Sequence, residues 1–131
     1  MRRRAVDTNV LVRILADNGS EQAARARALL KDGKITVGAT VLLETEWVLR
    51  SRFDLSPAEV NRLLSGLLLV ESVEIETSAE VAEALDEHRA GMDFADALHL
   101  HLTDCDEFLT FDQDLQRRSR GRGRPPDVRE P

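Results

Sequence analysis

The chain has 131 residues, 42% of them hydrophobic and 32% charged, with a formal net charge of −6 and one cysteine. That describes one globular domain with a real core, and no apolar run approaches the ~20 residues that span a bilayer. A lone Cys105 makes no internal disulfide and no Cys–His pattern suggests zinc, so a reducing cytoplasm is the expected setting.

Residues 3–7 read as a short strand whose apolar stretch breaks at Asp7, which distinguishes it from a secretory leader. Thr8 or Asn9 then caps a helix to about Asp17, and Asp17-Asn18-Gly19-Ser20 is a turn. Ser20 caps a helix over 21–32, and Ile35-Thr36-Val37-Gly38 is a second strand. A long helix follows from Thr40 to about Arg52, with Val41, Leu42, Trp47, Val48 and Leu49 at helical spacing. Ser56-Pro57-Ala58-Glu59 is a capping box with proline at the first helical position. Its helix carries Val60, Leu63, Leu64, Leu67 and Leu68, and residues 70–75 alternate as a third strand. Ser78 caps a helix over 79–90 ended by Gly91, and Asp93 caps another reaching Thr103. Glu107-Phe108-Leu109-Thr110 is a fourth strand, followed by Asp112 in a loop and one helical turn to Leu115.

Strands alternating with helices predict an α/β fold: a central, mostly parallel sheet of four to five short strands flanked by helices in three layers. Residues 1–116 form that domain. Residues 117–131 read as an Arg/Gly/Pro-rich tail, flexible apart from a short strand near Val128. Arg2, Arg3 and Arg4, with Arg117, Arg118, Arg120, Arg122, Arg124 and Arg129, hold half of the 18 Lys and Arg, which leaves residues 5–116 with 22 acids against nine bases. Such a body does not coat DNA by charge alone. It suits a cation-dependent site flanked by phosphate-touching arginines, and the same arginines also read as solvated tails.

The acids carry the chemistry. Asp7 ends an apolar run, Glu44 lies in an apolar helix, Asp93 and Asp96 open a helix, and Asp112 follows a strand. Carboxylates at element boundaries and core edges are costly without a partner, and one divalent cation explains them together. Singly they have plainer readings: Asp7 and Asp93 as helix caps, Glu46 as a solvated charge, Asp114 as a loop acid. His99, three residues after Asp96, reads as a rim residue or a half-buried structural histidine. Carboxylate-held ions activate water and stabilise a phosphodiester in displacement. Walker glycines, a dinucleotide fingerprint and a serine nucleophile motif are absent, and the acids beside Cys105 disfavour its thiolate.

Val6-Asp7-Thr8-Asn9-Val10-Leu11, Val41-Leu42-Leu43-Glu44, Asp93-Phe94-Ala95-Asp96-Ala97-Leu98 and Thr110-Phe111-Asp112 together resemble the PIN-domain ribonucleases, above all the VapC toxins of bacterial toxin–antitoxin pairs. The resemblance runs from Ala5 to Leu115, with the motifs in the family's order. It implies a Mg²⁺- or Mn²⁺-dependent endoribonuclease acting on structured RNA such as tRNA or rRNA. A cognate antitoxin and a homodimer are also implied, with no membrane association. Asp7 and Asp96 match direct ligands of the ion. Glu44 and Asp112 match acids that complete its shell, position a water or help hold a second ion. Thr8, Asn9 and Thr110 match polar residues that orient those carboxylates, and Asp93 matches a variable extra acid. A receiver-type phosphoacceptor domain would need a late strand-end lysine, and no lysine follows Lys34. An RNA-binding relative without cleavage is opposed by the presence of all four acids. Leu63, Leu64, Leu67 and Leu68 with the Trp47 helix suggest either a partner contact or simply a complete core.

Overall fold

A computed structural model describes residues 3–16 and 18–131. Arg2 and Asp17, which enter the basic start and the first turn, lie outside the described residues. The chain runs α1 (Thr8–Leu15), α2 (Glu21–Ala28), a 3₁₀ turn (Leu29–Lys31), β1 (Ile35–Val37), α3 (Ala39–Arg52) and α4 (Pro57–Leu67). It continues through β2 (Val73–Ile75), α5 (Ser78–Arg89), α6 (Phe94–Leu102), β3 (Glu107–Leu109), α7 (Gln113–Ser119) and β4 (Asp127–Arg129). This is the expected mixed α/β architecture of helices around short parallel strands.

Among the described residues the strands form two two-stranded parallel sheets rather than one sheet of four to five, the first built on β1, whose three residues are all buried, as in a parallel strand covered on both faces. Ile35 and Val37 pair with Val73 and Ile75 of β2 in parallel register. On its other edge Thr36 bridges Ala5, so the first segment joins the sheet through one bridge rather than as a strand over 3–7. β3 pairs in parallel with β4, matching Glu107 to Asp127 and Leu109 to Arg129. Leu11, Leu42, Leu49, Val60, Leu64, Leu85 and Phe94 fill the space between helices and sheet. Leu67 joins them and Leu63 and Leu68 pack against the cluster, so α4 faces inward. Trp47, by contrast, is 53% exposed. Among the described residues no helix is long and apolar enough to cross a membrane.

Capping explains most boundaries. Ser56 and Glu59 form the capping box of α4, with Pro57 opening the helix. Ser78 is the first residue of α5 rather than its cap. Thr77 takes that position at φ 53° with no side-chain bond to the helix. α5 and α6 are joined by a corner in which Gly91 adopts φ +114°. A Cβ there would lie 2.6 Å from Nη1 of Arg118, the movable end of a long side chain, so it is the conformation that calls for glycine.

The expected flexible tail is instead docked. Glu87 on α5 is buried and accepts hydrogen bonds from Arg122 and, at 3.0 Å, from Arg124. His101 on α6 presents Nε2 to Glu87 at 2.8 Å and Nδ1 to Glu83 at 3.0 Å. Composition alone missed this because the balancing acid lies far upstream. Burial by itself would raise the Glu87 carboxyl. The Arg122, Arg124 and His101 hydrogen bonds outweigh it and hold the group below the ordinary carboxylate range.

Stability from Glu87 is therefore present above the ordinary carboxylate range and lost as the pH falls through the depressed value. Glu87→Gln is expected to cost about 3 kcal/mol in urea unfolding at neutral pH, as for one-sided loss of a buried ion pair. It should also flatten the acid limb of stability against pH. An unchanged midpoint would mean that the tail contributes nothing to folding.

Candidate active site

The first acid arises where the sheet hands over to a helix. Asp7 caps α1, its Oδ1 accepting from the Val10 amide at 3.1 Å, so the cap is Asp7 and not Thr8 or Asn9. Thr8, the first residue of α1, donates its hydroxyl to Oε1 of Glu44 on α3 at 2.6 Å. Thr8 thus orients Glu44 rather than Asp7. Asn9 lies beside them in the same open groove between α1 and α3.

The second group forms where α6 and α7 begin. Asp93 caps α6, with Oδ2 accepting from the Asp96 amide at 3.2 Å. Asp112 caps α7, with Oδ1 accepting from the amides of Asp114 at 2.9 Å and Leu115 at 3.1 Å. Thr110 accepts from the Asp112 amide at 3.0 Å and so holds the turn that aims this cap. Asp96 is half-buried and accepts no hydrogen bond among the described residues. Burial first, then the charges of Asp93, Asp112 and Asp114, push its carboxyl above the ordinary range, with His99 opposing.

Asp93, Asp96, Asp112 and Asp114 therefore share one field, while Asp7, Thr8 and Glu44 gather on α1 and α3. α3 packs on both α1 and α6 and so connects the elements that carry the two groups. Among the described residues no three acidic, histidine or cysteine side chains converge within reach of one ion. The donor chemistry nonetheless suits a hard cation, because Mg²⁺ commonly takes one or two carboxylates and keeps several waters. Asp7, Asp93 and Asp112 each use one carboxylate oxygen as a cap, and Glu44 uses one for Thr8. Their second oxygens take no hydrogen bond among the described residues.

Two expectations change. Glu46, read as a solvated charge, is buried and ion-paired with Arg50 one turn along α3. The Glu46 hydrogen bond, against some cost of burial, raises the Arg50 guanidinium above its ordinary value, and the Asp93 charge adds to it. The pair thus lies within the field of Asp93, and its i, i+4 spacing is the signal the sequence offers for it. Asp114 is not a loop acid: it sits in the first turn of α7 and pairs with Arg117 and, at 3.2 Å, with Arg118. His99 is exposed and stacks on Phe108, with ring centroids 6.3 Å apart. His88 is buried against Asn61, and burial lowers its pKa, so it stands outside the chemistry.

Compared with known families, the sequence matches the PIN domain over residues 4–121, a span that contains all of these acids. Nothing among curated proteins and nothing among solved structures matches it.

A raised carboxyl holds its proton more tightly folded than unfolded, so Asp96 costs stability as the pH rises through its folded value. Asp96→Asn is expected to raise the melting temperature of the metal-free chain at neutral pH and low salt by roughly 2 °C, or about half a kcal/mol. Added salt should shrink the gain. A variant that melts lower than the parent would show that Asp96 supports the fold instead of straining it.

Proposed function

The chain belongs to the PIN-domain family, and from that premise we propose that it is an endoribonuclease of the VapC type, the toxin of a type II toxin–antitoxin pair. PIN domains are generally nucleases that use divalent metal ions and act on RNA. The finer reading adds Mg²⁺ or Mn²⁺ as the ion and structured RNA such as tRNA or rRNA as substrate. A cognate antitoxin that occludes the site, a homodimer and a cytoplasmic setting complete it.

The observation that carries this reading is the state of Asp96. A half-buried carboxylate with no hydrogen bond among the described residues, crowded by Asp93, Asp112 and Asp114, is a site in need of positive charge. In the proposed mechanism Asp7 and Asp96 would hold the ion, which when bound would supply charge stabilisation at the scissile phosphodiester and a more acidic water. Glu44 and Asp112 would add their uncommitted oxygens, to help hold the ion or to orient a water. Thr8 fixes the rotamer of Glu44, and Thr110 fixes the backbone turn that presents Asp112. Asp93 adds negative potential and starts α6, which sets the angle at which Asp96 faces the substrate. Caps that keep one oxygen for the helix leave little freedom in the other, which favours a rigid site over an adaptable one.

Chelation should stop cleavage of total RNA, and Mg²⁺ or Mn²⁺ should restore it. Asp7→Asn and Asp96→Asn are each expected to lose more than about a hundredfold in rate while keeping RNA binding, whereas Thr8→Val should lose about tenfold. Cleavage that survives both aspartate substitutions would sink the proposal.

A further inference from the structure

Eight of the sixteen arginines form ion pairs with acids among the described residues. Arg3 pairs with Glu74, Arg50 with Glu46, Arg89 with Asp86, Arg117 and Arg118 with Asp114, Arg122 and Arg124 with Glu87, and Arg129 with Glu107. Arg4, Arg13, Arg25, Arg52, Arg62 and Arg120 form no ion pair among the described residues, and of these Arg13 and Arg52 share one groove. Among the described residues neither has an acidic partner, and Nε of Arg13 is buried with no hydrogen bond. Both line an open groove of about 630 Å³ between α1 and α3, which also contains Glu44, Trp47 and Phe53. Trp47 and Phe53 are 53% and 42% exposed in a chain with only five aromatic side chains among Phe and Trp. Trp47 lies one helical turn beyond Glu44 on the same side of α3.

Unpaired guanidinium groups beside exposed aromatic faces form the pairing by which single-stranded nucleic acid is held: phosphates on the cations, unstacked bases on the rings. A duplex keeps its bases stacked on one another and offers Trp47 no free face. We propose that this groove binds a single-stranded RNA segment flanking the cleaved bond, with a base on Trp47 and the backbone on Arg13 and Arg52. The proposal rests on the nuclease reading and extends it. Cleavage then takes place where the RNA is locally unpaired, because the strand reaches Glu44 only after passing a stacking platform.

Trp47 is the single tryptophan, so its emission reports the groove directly. The full chain is titrated in EDTA, where no cleavage occurs, with a short oligoadenylate and with the same strand in a duplex. The single strand should quench Trp47 saturably, with affinity falling as salt rises, and the duplex should not. Arg52→Gln should reduce the slope of log affinity against log salt by about one. Trp47→Ala should weaken binding of a labelled strand about tenfold in anisotropy while melting like the parent. No quenching from a chain that still cleaves RNA with Mg²⁺ would overturn the groove and spare the nuclease reading. Quenching without metal-dependent cleavage would uphold the groove and overturn that reading. An emission shift that follows protein concentration without RNA would place a second copy in the groove and overturn the proposal.

Discussion

Three helices of this protein begin on an aspartate, and the folded site depends on that one interaction. The first amides of any helix need acceptors, and a carboxylate there gains both the hydrogen bonds and the favourable end of the helix dipole. Asp7, Asp93 and Asp112 satisfy α1, α6 and α7 in this way. Asp7 and Asp112 are also candidates for binding a cation, so starting those helices and positioning those acids are one event. The repulsion that results falls on Asp96, which caps nothing and is left half-buried among its neighbours. Strain of this sort is tolerated because the caps, α3 and the buried Glu46–Arg50 pair hold the surrounding elements in place.

How much of this is legible in the chain depends on the range of the interaction. Local signals read well: the Ser56–Glu59 box, the Ser20 cap, the Asp93 cap and the alternation at Val73 and Ile75 all match the structure. The candidate acids could be chosen because their boundary positions are themselves local. α7 was read too short because its Arg-rich sequence lacks an apolar stripe. It is held by Asp112 at its start and by Asp114 pairing along its length. Glu46 was misplaced because α3 carries apolar residues on several faces, so its inward side cannot be read from spacing. The docking of the tail depends on Glu87, and no local pattern announces a partner 35 positions away. The three-dimensional relation of Asp7 to Asp96 is equally a product of packing through α3.

The charge distribution gains a physical sense from these pairings. The sequence separates basic ends from an acidic body, and the fold partly cancels the difference by bringing Arg3 to Glu74 and Arg122 and Arg124 to Glu87. What remains uncancelled is local: negative potential around Asp96, and positive charge along the α1–α3 groove. A ligand carrying alternating phosphate and apolar planes complements the second surface, and a small cation complements the first.

The corner at Gly91 sets a limit on how the gene can vary in length. Only Ala90, Gly91 and Met92 separate the end of α5 from the Asp93 cap of α6, and the chain there already lies against Arg118. One residue gained or lost within α6 ahead of Asp96 rotates that side chain by about 100° around the helix axis and carries it away from Asp112. Insertions should therefore be purged from the α5–α6 corner and accumulate in the outer connections. The linker between α3 and α4, which is exposed except for Leu55, is a place where evolution or an engineer can add chain without disturbing a carboxylate.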